Sequence, residues 1–347
     1  MNSIFDHLIF ALLLIIATTL VTGLMLKAGI MALPNHRSSH DRPTPSGGGL
    51  GAVVVITIAI GWYYLWAGGD GTNSFDIFCL LGGSLIVAIA GFADDIGKLP
   101  NFKTKLFLQI CAVMVLFAGD LVISQLTLPF IGLTNLGWWG YPITLIWVVG
   151  LTNAFNFMDG LDGMAGCTAI VSALFCTIIA FNEGSIQIFV MSYIIMASVI
   201  GFLPFNFPRS RLFMGDIGSQ FLGFLFAGLS VFTFAAHEPK VVFWIMPMLF
   251  LHFIYDTTYT LIRRLSAKEN VTEAHRSHLY QLLNRMGWSH VQVSSVYAFL
   301  CVIQGLTAIW LIGTSAWSKV LTILFFLIFY TMFMLLISRA ARDSRLI

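Results

Sequence analysis

The sequence predicts an all-α protein, a polytopic integral membrane bundle of about eleven transmembrane helices with one polar site at its cytoplasmic face. Its composition carries most of this prediction. Of its 347 residues, 58% are hydrophobic and only 10% are charged, whereas soluble domains contain about 25% charged residues. Most of the charged residues lie between the apolar runs rather than inside them. A water-soluble globule and a disordered chain are therefore both excluded.

Apolar windows along the chain define the expected helices, because a helix needs roughly 20 apolar residues to cross a bilayer. The windows are 8–31, 48–67, 75–92, 104–124, 141–156, 164–181, 187–206, 217–236, 241–262, 291–313 and 317–338. The first follows Asp6 rather than a basic residue and has no small-residue cleavage site, so we expect a retained span and not a signal peptide. We find no internal repeat and expect a single integral membrane domain over residues 1–347.

The distribution of basic residues predicts how the chain is oriented. When eleven spans are threaded alternately, all but Lys240 and Lys319 of the 18 Lys and Arg residues lie on one side. The positive-inside rule places that side in the cytoplasm, which puts the N-terminus outside and the C-terminus inside. The same threading places four polar clusters on the cytoplasmic side, so we expect a functional site at that surface.

The first polar cluster is Asp94–Asp95, followed by Lys98, at the end of the third window. Adjacent carboxylates at a helix end repel each other, and a divalent cation, or a phosphate bound through one, would relieve the repulsion. The alternative is a solvated helix end beside Lys98.

The second cluster repeats every third residue, so its members would share one face of a helical turn. It consists of Asn153, Asn156, Asp159 and Asp162. Oxygen ligands of mixed charge suit Mg²⁺, which takes one or two carboxylates and completes its shell with water and phosphate. Helix capping is the alternative, but it would explain one such residue and not four.

The third and fourth clusters contain further candidates for binding phosphate. Asp216 lies where the eighth window begins, near a helix N-terminus that attracts phosphate; an N-cap is the alternative. His275, Arg276 and His278 form the fourth cluster, in the longest cytoplasmic loop, and such residues bind phosphate or transfer protons. A solvated loop is the alternative there.

Three ionisable residues lie at or inside the expected spans. Lys105 begins the fourth window and would otherwise be an ordinary snorkelling anchor. Asp256 lies inside the ninth window, where an ionisable residue is a functional candidate by default, with pairing to a neighbouring helix as the alternative. We expect His252, one turn earlier, to be a satisfied core residue. Together the clusters favour Mg²⁺-dependent phosphoryl transfer to a lipid acceptor.

Four motifs in sequence order extend this interpretation. ADDIGK, NAFNFMDGLDGMAG, FNFPRSRLFMGDIGSQFLG and the histidine loop lie between about residues 34 and 290. They resemble the polyprenyl-phosphate N-acetylhexosamine-1-phosphate transferases, glycosyltransferase family 4. Within that family, PNHRSSHDRPTPSGGG and AHRSHLYQLL are similar to the branch that initiates O-antigen or related polysaccharides in Gram-negative bacteria.

The resemblance implies a reaction and its participants. A UDP-N-acetylhexosamine and undecaprenyl phosphate would give the lipid-diphosphate sugar and UMP, with Mg²⁺ or alternatively Mn²⁺ as cofactor. The enzyme would lie in the bacterial cytoplasmic (inner) membrane with its N-terminus in the periplasm, and a homodimer is compatible with the sequence. The resemblance assigns the metal to Asn156 and Asp216.

The resemblance also assigns roles to other residues of the motifs. The implied catalytic residues are Asp94, Asp95, Lys105 and Asp159. Among them, Asp94 and Asp95 would lie at the lipid phosphate and Lys105 at the diphosphate. The implied substrate contacts place Phe213 and Asp162 at the uridine and the histidine loop at the phosphates. These contacts are Lys98, Asn153, Asp162, Phe213, His275, Arg276 and His278. Whether Asp94 acts as a base or orients the lipid phosphate stays open.

Two departures from the family pattern and two rival functions complete the expectations. His275-Arg276-Ser277-His278 replaces the three adjacent histidines of the phospho-MurNAc-pentapeptide translocase, which argues against that donor. Ser46 stands where related sequences often carry a basic residue.

A transporter of a phosphorylated or anionic solute would show broken, charged helices in two matching halves. A CDP-alcohol phosphatidyltransferase would show its own spaced Asp motif, and a net charge of +2 without a basic stripe excludes nucleic acid.

Overall fold

The computed structural model describes residues 4–28, 31–32, 44–66, 75–128, 132–235, 244–270 and 275–347, and it confirms an all-α bundle. The helices are α1 (Ile4–Ala28), α2 (Gly49–Trp66), α3 (Phe75–Asp95), α4 (Phe102–Ala118), α5 (Gly140–Phe157), α6 (Met164–Glu183), α7 (Ile186–Asn206), α8 (Gly215–Ala235), α9 (Ile245–Leu249), α10 (Leu251–Ser266), α11 (Leu279–Arg285), α12 (His290–Leu311) and α13 (Ala316–Asp343). Two short antiparallel hairpins pair β1 (Met31–Ala32) with β2 (Thr44–Pro45) and β3 (Gln125–Leu128) with β4 (Gly132–Asn135).

Eight helices in the described chain are long and apolar enough to cross a membrane, namely α1, α2, α3, α6, α7, α8, α12 and α13. The protein is therefore a multi-pass membrane protein. The other three predicted windows fall on α4, on α5 and on α9 with α10. Helix α4 ends at Ala118, well before the predicted end at residue 124. The total of eleven crossing helices stays a prediction.

The ninth window does not form the one continuous helix that we expected. The chain breaks at Phe250, between α9 and α10. Helix α10 buries a polar stripe with a side chain at every fourth position, made of His252, Asp256, Thr260 and Arg264. Its exposed side chains include apolar ones, namely Leu261, Ile262 and Leu265. Averaged hydropathy hides this arrangement, because it does not record which side of a helix faces the protein.

Helix α8 lies at the centre of the bundle, with 89% of its span buried, against 17% for α1 and 22% for α13. It packs against α2, α3 and α5. Glycines make the closest approaches: a Cβ on Gly91 of α3 would lie 2.4 Å from the Asp216 carbonyl oxygen, and one on Gly49 of α2 would lie 2.4 Å from the Gly218 Cα. Small residues allow membrane helices to approach closely. The first turn of α8 is consequently held between α2 and α3.

Six of the helices meet at one end of the bundle, as alternate threading predicts. Helices α3, α5 and α7 end there, and α4, α6 and α8 begin there. Asp95 at the end of α3 accepts hydrogen bonds from the start of α8, and Asn206 at the end of α7 accepts one from Gly163, just before α6. The segment before α2 joins the same end, because Gly48 N donates to Phe213 O at 2.9 Å.

Part of the predicted loops lies outside the described residues. This applies to residues 33–43 of the first basic loop, which include most of PNHRSSHDRPTPSGGG, and to Lys240 and Ala274.

The Gly91–Asp216 contact gives a test of the helix packing. We expect Gly91→Ala to lower the midpoint of thermal unfolding in detergent by a few degrees, because the added methyl overlaps the α8 backbone and overpacking costs about 1–3 kcal/mol. The matched control is Gly82→Ala on the same helix, where the nearest atom would lie 3.7 Å away. An unfolding midpoint for Gly91→Ala equal to that of Gly82→Ala would contradict the packing described above.

Candidate active site

A single ammonium group lies between two carboxylates where α3, α4 and α8 meet. Lys105 Nζ donates to Asp94 Oδ2 at 2.9 Å and also to Asp216 Oδ2. The lysine is 8% exposed, while the Asp94 and Asp216 side chains are 40% and 31% exposed. The Asn101 side chain caps α4 by accepting from Thr104 N at 3.0 Å, which sets Lys105 in the first turn. The snorkelling alternative for Lys105 is therefore wrong.

Asp95 has a different partner from its neighbour Asp94. Its Oδ1 accepts from Asp216 N at 3.0 Å and its Oδ2 from Ile217 N at 3.1 Å, so the carboxylate caps the N-terminus of α8. Ser46 Oγ lies 3.4 Å from the same Oδ1. The repulsion between the adjacent carboxylates is thus relieved by Lys105 and by backbone N–H groups, and the solvated-helix-end alternative is wrong. Contact of Asp94 and Asp95 with a lipid phosphate stays a prediction.

Lys98 does not take part in this cluster. Its side chain is exposed, and it forms no ion pair within the described parts of the chain. Its predicted substrate contact is untested by the structure.

Asn156 joins the cluster from the last turn of α5. Its Nδ2 donates to Asp216 Oδ1 at 2.9 Å and to Ser219 Oγ at 2.8 Å. Its side-chain carbonyl oxygen receives no hydrogen bond from any described residue, so this oxygen is available to a ligand. Asp216 is accordingly not the N-cap that was the alternative, because its carboxylate faces Lys105 and Asn156.

The residues spaced by three do not share one helical face, and that expectation is wrong. Helix α5 ends at Phe157, so only Asn153 and Asn156 of the four lie on it. Asn153 donates to Gln109 Oε1 at 2.7 Å, whereas Asn156 donates to Asp216. Asp159 and Asp162 lie beyond the helix, in the turn that leads to α6.

Two glutamines that the sequence reasoning missed connect the cluster to the helix interiors. Gln109 Nε2 donates to Gln220 Oε1 at 3.1 Å, and Gln220 Nε2 lies 3.5 Å from Asp216 Oδ2. Gln109 follows Lys105 by four residues and Gln220 follows Asp216 by four. This spacing places each glutamine on the same helix face as its charged neighbour, and it was the available signal.

Asp159 lies close to the cluster but has no charge partner in it. It is half-buried, and within the described chain its carboxylate accepts no hydrogen bond and forms no ion pair. Burial, together with the negative charges of Asp216 and Asp95, raises the pKa of Asp159 well above its usual range. A cation at this end of the bundle would compensate the Asp159 carboxylate.

Asp162 and Phe213 occupy neighbouring loops of the same end. The Asp162 carboxylate lies 3.2 Å from His290 Nδ1 at the start of α12, and its carbonyl accepts from Ser294 Oγ at 2.7 Å. Phe213 is held through its backbone, since its N–H donates to Pro45 O at 2.9 Å. The sequence reasoning missed His290, which belongs to none of the motifs. A shared contact of Asp162 and Phe213 with uridine stays a prediction.

The histidine loop is held by Asp256 of α10. His278 is buried, and its Nδ1 lies 3.3 Å from Asp256 Oδ1. The alternative of pairing with a neighbouring element is therefore correct for Asp256. Arg276 is exposed, and its carbonyl accepts from Arg285. Burial and the positive charges around it lower the pKa of His275 to about 3, so its ring is neutral at pH 7.

His252 is a core residue, as expected, but only one of its two ring nitrogens has a hydrogen-bond partner among the described residues. It is fully buried, and its Nδ1 lies 2.8 Å from the side-chain amide of Gln304. Its Nε2 has no hydrogen-bond partner in the described chain.

The side chains around Asp216 suit Mg²⁺, which keeps water and phosphate ligands, better than they suit a metal that is bound by protein ligands alone. In the described chain, no three His, Cys, Asp or Glu side chains lie close enough together to hold a metal ion. Mg²⁺ needs only one or two protein carboxylates, because water and substrate phosphate complete its shell. Asp216 and the unbonded oxygen of Asn156 offer that limited set, with the uncompensated Asp159 nearby.

Comparisons with known proteins show which family the chain belongs to. Residues 77–234 match the glycosyl transferase family 4 profile. The chain is 30% identical over 321 residues to a probable undecaprenyl-phosphate N-acetylglucosaminyl 1-phosphate transferase of Bacillus subtilis (strain 168), covering 92% of this chain and 87% of the relative. It is 32% identical over 282 residues to a phospho-N-acetylmuramoyl-pentapeptide-transferase of Leuconostoc citreum (76% and 83%). It is 30% identical over 308 residues to a decaprenyl-phosphate N-acetylglucosaminephosphotransferase of Mycolicibacterium smegmatis (81% and 75%).

The bundle, its polar cluster and these likenesses define a multi-pass membrane enzyme that transfers a sugar phosphate. The chain belongs to the polyprenyl-phosphate N-acetylhexosamine-1-phosphate transferases of glycosyl transferase family 4. The resemblance seen in the sequence motifs is thereby confirmed.

The position of Lys105 between two carboxylates leads to a second test. We expect Lys105→Met to lower the transfer rate by about 10²–10³-fold, the usual effect of losing one charge-stabilising donor, because Asp94 and Asp216 would then repel each other. Lys103→Met, which changes an exposed lysine two residues earlier, should leave the rate unchanged. Equal rates for the two variants, measured on protein with the same elution profile, would exclude this role for Lys105.

Proposed function

We propose that the protein transfers an N-acetylhexosamine-1-phosphate from a UDP-sugar to undecaprenyl phosphate, the initiating step of O-antigen or a related surface polysaccharide. The observation that carries the proposal is the Asp94–Lys105–Asp216 cluster, which lies where the membrane helices end. A catalyst at that position reaches a lipid phosphate in the bilayer and a nucleotide in water. The B. subtilis and M. smegmatis relatives are named for polyprenyl phosphates and N-acetylglucosamine, which supports both substrate classes.

The reaction balances without an external base. An oxygen of the lipid phosphate attacks the sugar-linked phosphorus of the UDP-sugar, the bond from that phosphorus to the bridging oxygen breaks, and UMP leaves. A phosphate monoester has a second pKa of about 6, so the acceptor is mostly dianionic at neutral pH. Because Asp94 is already paired with Lys105, we infer that Asp94 orients the acceptor through the lysine and does not remove a proton.

The remaining residues position the donor. Lys105 places one positive charge beside the diphosphate, and Asn156 and Asp216 would hold Mg²⁺, with Mn²⁺ as the alternative. When bound, the metal neutralises charge on the transferred phosphoryl group. Asp162 and Phe213 would contact the uridine, and the histidine loop would contact the phosphates.

Orientation and pathway complete the proposal. The basic loops support a site on the cytoplasmic side of a bacterial membrane, with the N-terminus in the periplasm and the C-terminus in the cytoplasm. The sequence His275-Arg276-Ser277-His278 favours a donor other than UDP-MurNAc-pentapeptide. The transporter alternative has less support, because Asp94, Lys105 and Asp216 cluster at one end of the bundle rather than midway along its helices.

Release of UMP tests the reaction directly. Purified protein is given undecaprenyl phosphate, Mg²⁺ and, one at a time, UDP-linked GlcNAc, GalNAc, FucNAc, QuiNAc or MurNAc-pentapeptide. We expect release that requires lipid, metal and one N-acetylhexosamine donor, and that stops on chelation and returns with added Mg²⁺. Absence of release with every donor, from protein with a cooperative unfolding transition, would refute the transferase proposal and favour a transporter.

Asp216 gives a sharper test of the same site. We expect Asp216→Asn to reduce UMP release to background, because the variant loses both the negative charge that pairs with Lys105 and the proposed metal ligand. Expression and membrane insertion should be normal. Asp343→Asn, at the exposed end of α13, is the control and should retain the full rate. Wild-type turnover by Asp216→Asn would remove this residue from the catalytic site.

A further inference from the structure

The Asp256 carboxylate is a fully buried hub outside the catalytic cluster. It accepts from Tyr297 Oη at 2.7 Å, from Leu279 N at 3.0 Å and from Tyr280 N at 3.2 Å. Thr260 Oγ1 and His278 Nδ1 each lie 3.3 Å away. The carboxylate thus caps α11 and joins α10, α11 and α12 through one charged group. Hydrogen bonds to an ionised carboxylate are stronger than those between neutral groups, so these donors fix the three elements relative to one another.

The residues bound to Asp256 also contact the turn that carries Asp159. The His278 ring stacks on Phe157, with centroids 5.9 Å apart, and on Tyr280 at the same distance. Tyr280 Oη donates to Phe157 O at 2.8 Å. A Cβ on Gly160 would lie 2.1 Å from that hydroxyl oxygen, so only glycine allows the contact. Asp256 is in this way connected through His278 and Tyr280 to the turn between α5 and α6.

The ring of His278 is fixed by these contacts. Nδ1 faces the Asp256 carboxylate at 3.3 Å, which fixes the orientation of the ring. Nε2, on the opposite side of the ring, has no hydrogen-bond partner in the described chain. It is the nitrogen left for a substrate.

We propose that Asp256 is a positioning residue for the donor substrate: it holds His278 and the Phe157–Gly160 turn together so that His278 Nε2 meets the diphosphate of the UDP-sugar. This inference rests on the proposed function. It assigns no chemical step to Asp256 and predicts an effect on the binding of one substrate only. The lipid phosphate would be unaffected, because its expected contacts, Asp94 and Asp95, lie in the other cluster.

The kinetic test compares Asp256→Asn and Tyr297→Phe with the wild type. We expect Asp256→Asn to raise KM for the UDP-sugar by about 10–100-fold, the usual effect of losing an orienting partner, while KM for undecaprenyl phosphate is unchanged. Tyr297→Phe removes one donor to Asp256 and should raise the same KM by a smaller factor. Asp256→Glu, which keeps the charge, should recover part of the loss.

The control for Tyr297→Phe is Tyr259→Phe, which also removes one phenolic hydroxyl. Tyr259 Oη lies 3.1 Å from Ser338 Oγ and so joins α10 to α13, away from the histidine loop. Tyr259→Phe should leave both KM values unchanged. A general loss of packing would instead lower kcat in both tyrosine variants, with neither KM altered.

Chemical labelling of histidines supplies a readout that does not need activity. Diethyl pyrocarbonate labelling, mapped by mass spectrometry, should modify buried His278 slowly in the wild type and several-fold faster in Asp256→Asn. His252 is fully buried on α10, the helix that carries Asp256. It should stay unlabelled in both proteins, which would show that the core is intact. Labelling of both histidines in Asp256→Asn would indicate general unfolding. The KM values of Tyr297→Phe and its control Tyr259→Phe would then decide whether the positioning role holds.

The outcomes separate this inference from the proposed function. If the wild type releases UMP, unchanged KM for the UDP-sugar in Asp256→Asn and Tyr297→Phe would overturn the inference. If the wild type releases no UMP, the proposed function fails, and unchanged labelling of His278 in Asp256→Asn would overturn the positioning role as well.

Discussion

Lys105 is the group on which the rest of the site depends. Opposite charges attract and like charges repel more strongly where protein and lipid exclude water, and this end of the bundle gathers Asp94, Asp95 and Asp216. One ammonium compensates two of these carboxylates, and the N-terminus of α8 compensates the third. The charges therefore come from α3, α4 and α8, and α5 adds Asn156. The cluster is complete only when these four helices are packed together.

The turn between α5 and α6 lies between the Asp94–Lys105–Asp216 cluster and the histidine loop. Asn206 at the end of α7 accepts from Gly163 N at 2.9 Å, Tyr280 of α11 donates to Phe157 O, and His290 of α12 pairs with Asp162. Three elements thus fix a segment that contains no regular structure of its own. A donor bound against this turn would contact groups positioned by α7, α11 and α12, whereas the Asp94–Lys105 cluster is positioned by α3, α4 and α8.

Much of this architecture was predictable, and the failures share one cause. Hydropathy located the helices, and charge placed the polar motifs at one end, because both depend on local composition. The contacts of individual side chains depend on tertiary packing: adjacent Asp94 and Asp95 have different partners, and Asn153 donates to Gln109 on another helix. The same limit hid the buried polar stripe of α10 and the pairing of Asp162 with His290. Spacing along a chain cannot show which neighbour a side chain will meet.

The reversed amphipathicity of α10 has a consequence for biogenesis. The insertion machinery recognises segments by their hydrophobicity as they emerge, and a helix with His252, Asp256 and Arg264 on one side is a poor substrate by itself. Helix α12 shields part of this stripe, because Gln304 contacts His252 and Tyr297 donates to Asp256, and α12 is synthesised later. Helix α10 is therefore expected to insert fully only after the later helices have been synthesised. Its insertion is then coupled to the folding of the C-terminal part of the chain. The final fold, rather than the order of synthesis, then determines how deeply this segment lies in the bilayer.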